Sequence, residues 1–368
     1  MKTERLSPSQ IMTLTSAAIM GVDILMVQNH MVSIAGRDGW IPLALGGILA
    51  GISGTIIYYL ATLYPDKDLP QIMIHIGGKF LGRLLLIPGL MYMLLYTALS
   101  FRIFAQVLKV FLFDRTPIYA IVILMTLVTA YTVYQGIYVI GGVTDILFPL
   151  GKIIIVILIL LSLIIADPSH IRPILFENTA QVVKAIIPGY QQFTGICIIG
   201  YILCYTQKDK GRFKWYLIAI GIAVVLYVAL TIITIMVFSA PGVLSLIYPT
   251  LTLSKSIQFP TAFLERFESI TAVLWIGIAF ETIVMFFFAS VRNFVAFFNV
   301  KEKYQKYLVF VHVPILITIA LSVKLGHRIL EIFELLKSAH SFYELFIFPL
   351  LVVITLIARK RRQSNEAR

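Results

Sequence analysis

The run from Ile11 to Ile34, IMTLTSAAIMGVDILMVQNHMVSI, limits what this chain can fold into more than any other stretch. It is long enough for a membrane crossing, which takes about 20 helical residues. Yet Gly21-Val22-Asp23 stands at its centre. Glycine weakens a helix, and an acid at the bilayer midplane costs at least about 2.5 kcal/mol. A segment that served only as an anchor would carry neither. Two arrangements reconcile them with a membrane. One is a helix broken at mid-depth, whose freed backbone groups and half-helix ends hold a ligand. The other is a straight helix whose Asp23 is paired inside a bundle.

The remainder of the chain is also membrane-like. Of its 368 residues 59% are hydrophobic and 13% charged, against about 25% charged in soluble proteins. Ten spans are expected, at about 10–34, 40–64, 84–112, 117–138, 142–166, 182–206, 214–240, 266–292, 304–323 and 342–358. The leading MKTERLSPSQ offers Ser7 as an N-cap and Pro8 at the first helical position. The apolar run after it is too long for a signal-peptide core, so it reads as a retained first helix. An even number of spans puts both termini on one side. About twice as many Lys and Arg fall on that side as on the other, which makes it cytoplasmic. The net charge of +12 is thereby accounted for without a nucleic-acid partner.

A polar segment, Asp167 to Gln181, divides the spans into two sets of five, about 10–166 and 182–358, within a single transmembrane domain. The sixth span carries Gly189, Gly195 and Gly200. A glycine-interrupted span opening each half is the mark expected of an inverted five-plus-five repeat. Two outer segments are long. Ser239 to Glu265, with three prolines, has the make-up of a lid over the bundle, and Lys324 to Ser341 reads as an amphipathic helix on the membrane surface.

Ionisable groups inside spans point to a substrate or ion path. Glu281 lies near the middle of span eight, at the depth of Asp23. The two acids suit an ammonium group, a small cation or an exchangeable proton; the alternative is that each is hydrogen-bonded and inert. Tyr96 in span three is placed to touch a ligand or to pack. Asp145 follows Gly141-Gly142 and reads as a helix cap, with Lys152 one or two turns deeper. Cys197 and Cys204 are two turns apart, about 10 Å, beyond disulfide reach. No P-loop, HExxH, GxSxG or CxxC occurs, so neither an enzyme nor a cofactor or metal site is expected.

A series of loop motifs occurs in order: Asp38-Gly39-Trp40-Ile41, Asp114-Arg115-Thr116-Pro117, Gly141-Gly142-Val143-Thr144-Asp145, Arg172-Pro173, Ala240-Pro241, Tyr248-Pro249-Thr250 and Glu265-Arg266-Phe267-Glu268-Ser269. In these the chain resembles the spore germination permease family, the B subunits of endospore germinant receptors, from its first span to its last. The resemblance implies the amino acid–polyamine–organocation superfamily: an all-α integral membrane protein of ten helices, in a LeuT-type five-plus-five inverted repeat with helices 1 and 6 broken. It implies a germinant pocket involving Gly21, Asp23, Tyr96, Thr194, Gly195, Glu281 and Thr282, most simply for an amino acid. It also implies the inner membrane of the spore, and an A subunit and a lipoprotein C subunit as partners. Two positions depart from the family pattern: Asp23 stands where a second glycine is usual, and Gln28 where a proline is. Besides a receptor subunit, a proton-coupled amino acid transporter is a reading, with Lys152 and Asp145 as coupling residues, because similar transporters place a lysine in the fifth span. An ion-conducting element is a third.

Overall fold

The computed structural model describes residues 5–175, 179–257, 267–323 and 327–366. The regular structure among these residues is helical, apart from an isolated backbone bridge between Leu6 and Thr206. The helices are α1 (Pro8–Ile19), α2 (Val27–Ala35), α3 (Trp40–Leu63), α4 (Leu69–Phe111), α5 (Ile118–Gln135), α6 (Ile137–Ser162), α7 (Thr179–Lys184), α8 (Ile186–Gln191), α9 (Ile199–Ile202), α10 (Arg212–Leu244), α11 (Pro249–Ser256), α12 (Phe267–Phe298), α13 (Glu302–Gln305), α14 (Leu308–Ser322) and α15 (His327–Glu366). Among the described residues, eight helical stretches are long and apolar enough to cross a membrane. They are α3, α4, α5, α6, α10, α12, α14 with the end of α13, and α15. Large apolar side chains such as Ile48, Phe80, Leu124, Ile146 and Val225 point outward, while Asp23, Glu281, Lys337 and many Ser and Thr are buried. That inside-out distribution belongs to a protein whose solvent is lipid.

Two apolar segments are interrupted. The first, α1 and α2, starts with the expected cap: Ser7 Oγ accepts from the Gln10 amide, and the Gln10 side chain accepts from the Ser7 amide. It leaves helical geometry at Met20 and Gly21, passes through a 3₁₀ turn over Val22–Leu25, and resumes at Val27. The second runs from α7 and α8 through a 3₁₀ turn at Thr194–Ile198 into α9. These are the first and sixth of the expected spans.

Boundaries differ elsewhere for identifiable reasons. Helix α4 begins at Leu69, well before 84, because Asp68 and Gln71 form a capping box around Pro70. The chain then turns at Gly78 (φ 70°), a left-handed position that glycine occupies without strain. Gly136 (φ 94°) ends α5, so α6 starts at Ile137 and Asp145 sits within the helix, not at its cap. Of the segment read as a surface helix, residues 324–326 lie outside the described residues and the rest is the first part of α15. One face of it packs into the bundle, with Phe333, Lys337 and Ser341 buried, because its charged groups find partners there. Of the segment expected to act as a lid, residues 258–265 lie outside the described residues. The preceding part turns at Ser239 (φ 61°) and forms α11, which packs against the break in the first segment.

Helix α12 is the central post, packed on α4, α6 and α1. Helix α3 meets α8 where Gly46 and Gly189 face the opposing backbone; a Cβ on either would collide with it. Close approach through small residues is the ordinary means by which helices associate in lipid.

Candidate functional site

The site grows out of the break at Gly21. A helix end leaves its last carbonyls without intrahelical partners, and hydrocarbon offers no substitute. Here side chains from four elements supply donors. The Ala17 carbonyl accepts from Thr282 Oγ1 of α12, and the Ile19 carbonyl from the Tyr227 hydroxyl of α10 at 2.9 Å. The Ile24 carbonyl accepts from Thr250 Oγ1 of α11 at 2.6 Å and from Gln28 Nε2 at 3.3 Å. Gln28 Nε2 also donates to Thr250 Oγ1 at 3.0 Å. Thus the residue standing where proline is usual closes the break with its amide. Gly21 is required sterically, since a Cβ would strike the Thr282 side chain. Gly195 abuts the Ala18 carbonyl in the same way, so the two interrupted segments cross at glycines.

Asp23, on the turn between α1 and α2, is 5% exposed. Its Oδ2 accepts from the Tyr96 hydroxyl of α4 at 2.8 Å. Its Oδ1 lies 3.0 Å from Lys337 Nζ of α15, a fully buried ammonium. Lys337 also donates to Gln192 Oε1 at 3.0 Å and pairs with Glu334 Oε1 at 2.6 Å. Glu334 in turn lies 3.5 Å from His30 Nε2. The Tyr96 ring stacks on Phe286 at 3.9 Å, and neighbouring Tyr92 donates to Thr194 Oγ1 at 2.8 Å. Asp23, Tyr96, Thr194, Gly195 and Thr282 are therefore gathered around one closed centre, with Gly21 at its edge.

Glu281 has a different neighbour. It is 1% exposed, and neither oxygen has a hydrogen-bond partner among the described residues. Its charged neighbour is Lys152 of α6, 7% exposed and likewise without a hydrogen bond, whose ammonium sits 5.0 Å from the centre of the Phe148 ring. Asp145 does not join this pair. It is exposed and accepts from Gln10 Nε2 at 2.8 Å and Thr13 Oγ1 at 3.0 Å, tying α6 to the start of α1. An apolar cavity of about 640 Å³ opens between α4, α5, α6 and α12, bordered by Gly277 one turn from Glu281.

Sequence reasoning missed Lys337, Glu334, Gln192 and Thr250. A signal existed for the first two. Glu334, Lys337, Ser341 and Glu344 recur at helical spacing, and a polar stripe leading straight into a span is an inward-facing stripe.

With this geometry in place, comparison with known proteins is informative. The family described as spore germination protein matches residues 5–361. Spore germination protein YndE of Bacillus subtilis is 29% identical over 329 residues, 89% of this chain and 89% of that one. Spore germination protein A2 of the same organism is 29% identical over 313 residues, 81% of this chain and 82% of its own. GerLB of Bacillus cereus is 23% identical over 373 residues, covering 99% and 97%. Among solved structures, a manganese transporter of Eremococcus coleocola aligns with a TM-score of 0.62 at 13% identity, covering 94% of this chain and 78% of that one. MHP1, a nucleobase-cation-symport-1 family transporter in a closed conformation, aligns with a TM-score of 0.65 at 11% identity, covering 88% and 73%. At such identities the likeness concerns the fold, which is that of membrane transporters.

Proposed function

The chain belongs to the spore germination protein family, and on that premise we propose that it is the transporter-fold subunit of a germinant receptor. It binds a small nutrient at the crossing of its two interrupted segments and triggers germination together with an A subunit and a lipoprotein C subunit, in the inner membrane of the spore. The interrupted segments complete ten crossings, arranged as two inverted sets of five, with both termini on the cytoplasmic side. The pocket comprises Gly21, Asp23, Tyr96, Thr194, Gly195, Glu281 and Thr282.

The observation that carries this reading is the buried Asp23 in a break where the Ala17, Ile19 and Ile24 carbonyls are engaged by side chains. A closed break serves no anchoring purpose, and a carboxylate there attracts an ammonium group. The N-terminal end of α2, four residues on, carries the positive end of a helix dipole and favours a carboxylate. Ammonium and carboxylate together describe a free amino acid. Lys337 now holds the ammonium position, so a ligand amine enters by displacing it. The ligand biases the receptor only as far as it prefers the displaced state.

A ligand screen tests this. Amino acids, sugars and nucleosides are added to the purified chain and thermal unfolding is followed, with Asp23→Asn and Glu281→Gln in parallel. An amino acid that stabilises the native chain and not Asp23→Asn supports the site. Stabilisation that survives Asp23→Asn refutes it.

A second reading, a proton-coupled amino acid transporter, is favoured by one observation: buried Glu281 and Lys152 interact electrostatically, and neither has a hydrogen bond among the described residues. A buried acid and lysine so placed can exchange a proton as an adjacent site fills. Accumulation of labelled amino acid by vesicles holding this chain alone, driven by a proton gradient and lost in Lys152→Met, would decide for transport.

A further inference from the structure

We propose that Cys197, His340 and Glu344 form a binding site for a thiophilic divalent cation of the Zn²⁺ class. The three side chains are buried. Their donor atoms, one from each, all lie within 4.8 Å of one another. His340 and Glu344 are one helical turn apart on α15, so they present a two-toothed face. Cys197 comes from the 3₁₀ turn that follows the break at Gly195.

Three of the polar atoms here have no hydrogen bond among the described residues. Neither ring nitrogen of His340 has a hydrogen-bond partner among the described residues, nor does Glu344 Oε1. His340 Nε2 and Glu344 Oε1 stand 3.2 Å apart without hydrogen-bond alignment. In a tetrahedral site with bonds of 2.0 to 2.3 Å, neighbouring donors sit about 3.3 to 3.7 Å apart. One edge already has nearly that length, and the rest closes with a movement of about 1 Å.

Surrounding groups fit the role of an outer shell. Tyr190 donates to Glu344 Oε2 at 2.8 Å, leaving Oε1 free for the cation. The His340 ring lies flat on Tyr92, with centroids 3.6 Å apart and planes 5° from parallel, which fixes its orientation. A cavity of about 10 Å³ bordered by Cys197, His340, Met93, Tyr201 and Tyr343 has room for one water as fourth ligand. Charge also balances. A thiolate, a carboxylate and a neutral imidazole bring a dication to zero, the form that a low-dielectric interior tolerates best. Binding releases the Cys197 proton and breaks the contact from its Sγ to the Thr194 carbonyl at 3.2 Å. The cation thus ties the second interrupted segment to α15.

This inference stands apart from the proposed ligand, and its test uses none. The full chain is purified in detergent, stripped with chelator and titrated with Co²⁺, a spectroscopic substitute for Zn²⁺. We expect one equivalent to bind with a thiolate-to-cobalt charge-transfer band, and Zn²⁺ to displace it. Cys197→Ser abolishes the band, and Cys204→Ser leaves it. Tyr190→Phe, which removes one hydroxyl, weakens binding about 10- to 100-fold, as loss of an outer-shell partner does. His340→Gln and Glu344→Gln weaken it further. Absence of the band from the native chain overturns the proposal whatever the variants do. A band that persists in Cys197→Ser overturns it too.

Discussion

Replacing Lys337 by Met tests the centre of the structure most directly. Methionine keeps most of the volume and removes the ammonium. Asp23 then retains the Tyr96 hydroxyl at 2.8 Å and loses its ion partner at 3.0 Å, while Glu334 and Gln192 lose their donor. Removing one member of a buried pair costs about 3 to 5 kcal/mol, because a charge is left uncompensated. About 4 kcal/mol is therefore the expected loss. Equilibrium unfolding in mixed detergent micelles measures it. Adding Asp23→Asn should return part of the loss, with a coupling of about 1 to 3 kcal/mol. A Lys337→Met chain within about 0.5 kcal/mol of the native one, in the range of an ordinary surface substitution, would refute the buried pair. So would a double variant whose losses simply add.

Further substitutions probe neighbouring parts. Gln28→Leu removes a donor to the Ile24 carbonyl and to Thr250, and should cost about 1 to 3 kcal/mol in the same unfolding measurement. Gly195→Leu should prevent the two interrupted segments from crossing, since even a Cβ meets the Ala18 carbonyl; failure of the chain to reach the membrane in monodisperse form is the expected result. Tyr96→Phe keeps the stacking on Phe286 and loses one hydrogen bond to a carboxylate, worth about 1.5 to 3 kcal/mol. Glu281→Gln should leave the chain in the membrane and abolish the germination response, read as loss of the nutrient dose dependence in spores.

What could be read from sequence was whatever depended on local cost. Gly21 and Asp23 pointed to a break or to a paired acid because both are expensive in a straight span, and the structure has the interruption and the pair together. Gly195 marked the second interruption for the same reason. What could not be read was pairing at a distance. Asp23 and Glu281 share a depth, so they suggested one site, yet Asp23 is held by Lys337, more than three hundred residues on, while the charged neighbour of Glu281 is Lys152. Depth is a property of one span; azimuth depends on how all the others pack. The charged start of α15 was misread likewise. Its stripe suits water or buried acids equally well, and only His30 and Asp23 decide between them.

The length of α15 gives the pair at Asp23 a mechanical reach. From Lys337 to Arg359 the same helix covers about 33 Å at 1.5 Å per residue. At its far end Arg359 holds the Leu63 carbonyl and lies against the Tyr64 ring. A tilt of about 5° about the Lys337 end would carry Arg359 through about 3 Å over that arm, enough to pull the guanidinium off its carbonyl. Release of a 3.0 Å contact near the crossing would in this way become a displacement at the far end of the helix, with gear ratio and stroke set by one rod. A spin label beside Arg359 that stays still in Lys337→Met would show that the rod is not turning.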